Sequence, residues 1–146
     1  MLIASSGGHL LQLRHLASGL PDADWCWIAF DTPDAQHLLA GCDVVHAHHP
    51  TNRNVRNLVR NLVLAWRVVG DVRPRIVIST GAGVAVPFLW VARLRGARVI
   101  YVESFARTQN LSLTGRLVRP IAHRLFVQWE TAAADERGTE YLGSIF

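Results

Sequence analysis

Along the chain, short apolar runs alternate with longer stretches whose apolar residues recur at helical spacing. The runs at residues 2–5, 25–30, 44–48, 76–79, 98–102 and 125–128 read as strands. Most are nearly continuous rather than alternating, as expected where both faces of a parallel sheet are covered. Helical patterns occupy residues 9–18, 33–39, 54–69, 84–94 and 114–123, with stops at Gly19 and Pro21, Gly41, Gly70 and Gly96. Strand–helix alternation of this kind predicts an α/β fold: a doubly wound, mainly parallel, Rossmann-like sheet. No linker, repeat or low-complexity tract interrupts it. The 146 residues are therefore expected to form one domain, 1–146.

Two segments are ambiguous by pattern alone. Residues 76–92 carry no charge and approach membrane-spanning length, yet they contain Ser79, Thr80, Gly81, Gly83 and Pro87. A buried strand, a turn and a buried helix account for them better than a span. In the helix at 54–69, Val55, Leu58, Val59, Leu62, Val63, Trp66 and Val69 form one apolar arc, expected to face the core. Arg56, Arg60 and Arg67 line its flank and Arg53 precedes it. That strip is either solvated or set against anionic lipid headgroups or a lipid-linked phosphate.

Composition narrows the classes. All 15 basic residues are arginine and the net charge is +4. Without a helix-turn-helix, zinc or RNA-binding signature, a nucleic-acid partner is not expected. Cys26 and Cys42 suggest packed, reduced thiols and give no disulfide or metal framework. His46 and His48 share a strand face, so a metal site is geometrically conceivable. No acid or cysteine at a recognisable spacing completes it, which favours a loop-edge cluster that binds nothing or touches a partner. Met1 leads almost directly into a polar Gly turn, so no signal peptide is expected.

Candidate chemistry gathers where three polar loops should surface at the carboxyl edge of the sheet, the edge at which open α/β folds bind ligands. In Ser5-Ser-Gly-Gly-His9, Gly7 and Gly8 permit close backbone approach, and free amides at the start of the next helix favour an anion. A bare tight turn is the alternative. Asp31 ends the second strand about where a dinucleotide-binding acid would lie, but GxGxxG is not met. His9 would sit beside a bound phosphate as a hydrogen-bonding group, a general base, or merely a cap. Thr80-Gly-Ala-Gly83 makes the second turn. Glu103 closes the fifth strand, where burial beside Val102 and Phe105 would raise its pKa toward that of a useful base. A structural role in bonding the loop at 104–108 is the competing reading.

Five segments then occur together and in order: Ser5-Ser-Gly-Gly-His-Leu10, Ser79-Thr-Gly-Ala-Gly-Val-Ala-Val-Pro87, Tyr101-Val-Glu-Ser-Phe-Ala-Arg107, Leu111-Ser-Leu-Thr-Gly-Arg116 and Phe126-Val-Gln-Trp129. With them the chain resembles the acceptor-side subunit of a split glycosyltransferase. Its relatives would be the eukaryotic membrane-recruiting subunit that helps add the second N-acetylglucosamine to dolichol diphosphate, and bacterial exopolysaccharide counterparts. The resemblance implies the N-terminal half of a GT-B enzyme, similar to the peptidoglycan enzyme that makes lipid II. A donor-binding C-terminal half would be a separate partner chain. The acceptor would be a polyprenyl-diphosphate-linked sugar, and the reaction an inverting transfer from a UDP-sugar with no cofactor and no catalytic metal. Gly7, Gly8, His9, Gly81, Ala82 and Gly83 would cradle the acceptor diphosphate. Ser104, Arg107, Ser112 and Thr114 would form the acceptor loop, with Glu103 or His9 as base. The chain would lie in the cytoplasm, peripheral on the inner face of the plasma membrane, and contact its partner around residues 141–146. Two alternatives are a purely membrane-recruiting, activating subunit and a free-standing nucleotide-binding protein.

Overall fold

The computed structural model describes residues 1–21, 23–135 and 138–145. Its elements in chain order are β1 (Leu2–Ile3), α1 (Gly8–Ser18), β2 (Cys26–Phe30), α2 (Pro33–Leu38), β3 (Asp43–Ala47), α3 (Val55–Val72), β4 (Ile76–Ser79), α4 (Ala85–Leu94), β5 (Arg98–Val102), α5 (Leu113–Val118), β6 (Arg124–Val127), α6 (Glu130–Asp135) and β7 (Glu140–Tyr141). The strands form one sheet in the order β3-β2-β1-β4-β5-β6-β7, and every pairing is parallel. This is the doubly wound sheet that the apolar runs predict. The direction of winding reverses between β1 and β4, so the loops that follow those two strands diverge there and leave a crevice.

Right-handed crossovers put α1 and α2 on one face and α3, α4 and α5 on the other. Successive side chains of each strand feed opposite cores. Leu2, Trp27, Ala29 and Ile78 pack with Leu10 and Leu13 of α1. Ile3, Ile28, Val77, Val99, Tyr101 and Leu125 pack with Val68, Phe88 and Leu89.

The elements depart from the sequence expectation in three respects. The short α6 and β7 add to the predicted elements. The last predicted helix, 114–123, ends at Val118, because Pro120 has no N–H with which to continue the ladder. The helix expected to stop at Gly70 continues to Val72, and Arg73 closes it in the left-handed conformation (φ 47°) with its N–H on the Val69 carbonyl. Gly70 serves close approach instead: a Cβ there would stand 2.8 Å from Nη1 of Arg95.

The largest correction concerns the face that α3 presents. Of its apolar arc only Val69 is buried; Val55 is 72% exposed and Trp66 55%, with Leu58, Val59, Leu62 and Val63 exposed between them. The buried stripe is Asn57, Asn61, Ala65, Val68 and Val69. Asn61 pairs with the His48 backbone like a neighbouring strand, accepting from its N–H at 2.8 Å and donating to its carbonyl at 2.9 Å. Asn57 donates to the Pro50 carbonyl at 2.9 Å, while Asn54 caps the helix by accepting from Asn57 N–H. The chain leaving β3 has backbone groups that must be satisfied once they are covered. Asparagines satisfy them and leucines could not. The helix therefore turns its two asparagines, with Ala65, Val68 and Val69, toward the protein and most of its apolar arc toward the outside.

Candidate functional site

A cavity of about 950 Å³ opens over the carboxyl edge of β1 and β4. Its wall brings together Ser5, Ser6 and His9 from the first loop, Ala82 and Gly83 from the second, and Ser104, Arg107, Ser112 and Thr114 from the third. All four residues expected in the acceptor loop thus line one space. The loop from β3 to α3 adds His49, Thr51, Asn52 and Arg53. Of these the sequence marks Arg53, and His49 as part of a loop-edge histidine cluster; Thr51 and Asn52 go unmarked, because the asparagine clamps that fold this loop over the cavity form no motif.

The Gly turns are built for close approach. Gly7 has φ 60° and ψ −138°, a combination that only glycine adopts readily. Gly81 has φ 115°, and a Cβ there would meet the Tyr101 hydroxyl at 3.0 Å and the His9 ring at 3.2 Å. Ala82 holds φ 70° without being glycine. Two of the amides expected to cradle a diphosphate are already engaged. Gly7 N–H donates to Asp34 Oδ2 at 2.6 Å, and Gly81 N–H to Ser79 Oγ at 3.1 Å. The Gly7 contact holds the Asp34 carboxyl below its ordinary range. Gly7, Gly8 and Gly81 shape the turns; His9, Ala82 and Gly83 are the members of the cradle that reach the cavity wall.

His9 is half-buried and fixed from both ends. Its Nδ1 lies 2.9 Å from the Thr80 carbonyl, and Thr80 Oγ1 donates to the His9 carbonyl at 2.6 Å. A carbonyl can only accept, so Nδ1 carries the hydrogen of the neutral ring and Nε2 keeps its lone pair. The first two loops are thereby tied together through this one residue.

Glu103 does not face the cleft as expected. It is 1% exposed and absent from the cavity wall. Oε1 accepts from Ser104 N–H at 2.9 Å and from the Tyr101 hydroxyl at 3.4 Å. Oε2 accepts from the amide and the hydroxyl of Ser112 at 2.8 and 2.9 Å. Ser112 Oγ in turn caps α5 by accepting from Gly115 N–H at 3.0 Å. Burial first, and then the Glu103 carboxyl, push the Tyr101 phenol up, so it remains a donor at ordinary pH. Glu103 thus closes the loop at 103–112 from beneath, and the cavity sees Ser104, Ser112 and Thr114 instead.

The remaining arginines separate by place. Arg56, Arg60 and Arg67 are exposed on α3, outside the cavity. His46 approaches Asp31 at 4.0 Å on the surface. The His48 backbone is held by Asn61, and burial, then Arg60, lower its imidazole pKa. His49 tilts against Phe30 with ring centroids 5.3 Å apart. Exposed apolar residues continue from α3 onto the neighbouring helices as Trp90 and Leu94, then Leu113 and Leu117. Trp90 Nε1 donates to the Leu117 carbonyl at 3.2 Å, and Leu113 also lines the cavity. Among the described residues no helix is long and apolar enough to cross a membrane. Of the expected partner contact, Tyr141 and Leu142 are exposed, while Phe146 lies outside the described residues.

Comparison with known proteins gives concordant matches. The family model "Oligosaccharide biosynthesis protein Alg14 like" matches residues 45–145. A UDP-N-acetylglucosamine transferase subunit ALG14 from Eremothecium gossypii is 38% identical over 103 residues, covering 62% of this chain and 46% of that protein. The Mus musculus protein of the same name is 25% identical over an alignment covering 99% of this chain and 82% of its own length. The chain spans less than half the length of several of these relatives, 46% for the E. gossypii protein and 35% for one from Candida albicans. Among solved structures, Acinetobacter baumannii MurG superposes with a TM-score of 0.75 at 16% identity, over 98% of this chain and 45% of that one. The fold is accordingly that of one half of a MurG-like GT-B enzyme. With the family model matching more than half of its residues, the chain belongs to the Alg14-like oligosaccharide biosynthesis proteins.

Proposed function

We propose that this chain is the acceptor-side subunit of a two-chain glycosyltransferase. A sugar passes from a UDP-sugar, bound by a separate donor subunit, to a polyprenyl-diphosphate-linked sugar held at the cavity beside His9. The relatives' names supply the transferred unit, N-acetylglucosamine. The observation that carries the reading is a juxtaposition. A cavity that presents the hydroxyls of Ser104, Ser112 and Thr114 and the side chains of Arg53 and Arg107 at the sheet's switch point adjoins, through Leu113, a helix surface whose apolar side is turned outward. An acceptor with a charged head and a polyprenyl tail needs both surfaces, side by side.

In this reading His9 is the base. The attacking sugar hydroxyl must lose a proton, and the Thr80 carbonyl places the hydrogen of the neutral imidazole on Nδ1, which makes Nε2 its accepting nitrogen. Glu103 is a positioning residue, since its carboxyl is filled by the loop that it closes. Ala82, Gly83, Arg53 and Arg107 meet the diphosphate; Gly7 N–H is available to it only if Asp34 withdraws. The outward face of α3 lies in the headgroup region of the membrane, with Arg56, Arg60 and Arg67 as its basic border. The sealing of Glu103 lends weight to one alternative, a recruiting subunit that leaves all chemistry to the partner.

Binding of a short polyprenyl-diphosphate N-acetylglucosamine to the full chain tests the reading. Affinity should fall on Arg53→Gln and Arg107→Gln substitution, and should exceed that for UDP. A preference for UDP would favour the free-standing nucleotide-binding alternative.

A further inference from the structure

Behind the cavity, on the α1 side of the sheet, a second and mainly apolar hollow of about 460 Å³ lies between α1, the ends of β5 and β6, and residues 142–145. Gln128 lines it and is bonded to a second buried amide, Gln12, and neither has a part in the proposed chemistry. Gln128 Nε2 donates to the Glu103 carbonyl and to Gln12 Oε1, both at 2.9 Å. Its Oε1 accepts from Ile145 N–H at 3.0 Å. Gln12 Oε1 accepts a second time, from Phe105 N–H at 3.2 Å. One residue further on, Trp129 Nε1 donates to the Phe105 carbonyl at 2.7 Å, with its ring 4.9 Å from that of Phe105.

The loop at 103–112 is therefore held from two directions. The Glu103 carboxyl closes it from within. Gln128 holds its first residues by the backbone and has one remaining acceptor, which the segment after β7 occupies. Both glutamines are buried, so removing that segment's N–H exposes Gln128 Oε1 to water or leaves it unpaired, and either outcome loosens a network whose bonds reinforce one another. A glutamine alone could also have bonded solvent at this place. Its use of a chain segment remote in sequence joins the exposed surface at Tyr141 and Leu142 to the cavity wall.

We propose that Gln128 is a positioning residue that makes the order of the cavity wall at Ser104 and Ser112 depend on the seating of residues 142–145. Whatever engages that segment then tightens or loosens the wall. The consequence for acceptor binding rests on the function proposed above; the dependence itself does not.

The test is amide hydrogen exchange on the full chain. Ile145→Pro removes the N–H that Gln128 accepts, and Ile145→Ala, which keeps that N–H and removes the side chain lining the hollow, is its control and should leave the loop amides unchanged. In Ile145→Pro the effect is local. The Phe105 and Ser112 amides should exchange about fivefold faster, the size of one net hydrogen bond, with the β1 and β4 amides unchanged. Gln128→Leu should loosen the same amides, and Ile145→Pro should add nothing in that background. Unchanged loop exchange in Ile145→Pro, or additive effects in the double variant, would overturn the proposal even if Gln128→Leu folds poorly. Farnesyl diphosphate binding, measured in parallel, should weaken with loop order. A looser loop with unaltered farnesyl diphosphate binding keeps the dependence and counts against the acceptor reading alone.

Discussion

Each oxygen of Glu103 receives a backbone N–H, Oε1 from Ser104 and Oε2 from Ser112. A glutamine at this position must therefore turn its NH2 against one of those donors, whichever way the amide flips. Glu103→Gln should cost about 1–3 kcal/mol of stability, read as a lower denaturation midpoint, with the loss concentrated in the loop at 103–112. If instead the variant kept full stability and lost turnover alone, Glu103 would regain its claim as base. Asp34 offers a test by pH. Its folded pKa is lowered by Gly7 N–H, so its stabilisation of the first loop is present at neutral pH and is lost as pH falls through that lowered value. An NMR titration should show the Gly7 amide shifting with the Asp34 carboxyl, below the range of an ordinary aspartate; a midpoint in the ordinary range would remove the contact. At this scale the sequence shows the loop residues but not their partners. Ser104, Ser112 and Thr114 are legible from the polar run after β5, whereas the inward turn of the Glu103 carboxyl is not, because it depends on how the loop folds back to bring the adjacent Ser104 and Ser112, nine residues on, to the same carboxyl.

The elements are legible wherever a strand has two apolar faces to bury, as in β2, β4 and β5. Helix α3 shows where pattern misleads. Its strongest apolar periodicity marks the side turned away from the protein, while the contact side carries a weaker stripe of Asn57, Asn61, Ala65 and Val68. Periodicity reports that a helix has an apolar face, not what covers it. Asn61→Ala should leave the His48 N–H and carbonyl without their partner and cost about 2 kcal/mol, measurable by chemical denaturation. Leu58→Gln, by contrast, should be close to neutral in solution, because that side chain is exposed. Equal destabilisation by the two would return the apolar arc to the core. The short α6 and β7 have too few residues to show any period at all.

On the scale of the whole molecule, the cavity and the exposed apolar residues meet at α5, where Leu113 belongs to both, and the proposed function uses this to orient the chain. In that proposal α3 lies against a bilayer, a polyprenyl tail remains in lipid, and its diphosphate enters between Arg53 and Arg107. Replacing Leu58, Leu62 and Trp66 by Gln together should weaken sedimentation with anionic vesicles without unfolding the chain. Substituting Arg56, Arg60 and Arg67 should remove its dependence on anionic lipid, at about 1 kcal/mol each near the surface. Indifference of the unaltered chain to vesicles at low salt would leave α3 to a protein partner. The most direct measurement is transfer of N-acetylglucosamine from UDP-N-acetylglucosamine to a polyprenyl-diphosphate N-acetylglucosamine, by this chain and a donor subunit, apart and together. Turnover is predicted only for the pair, and should fall about 100-fold or more with His9→Ala at saturating acceptor. Turnover by either chain alone, or by the pair undiminished by His9→Ala, would contradict the account.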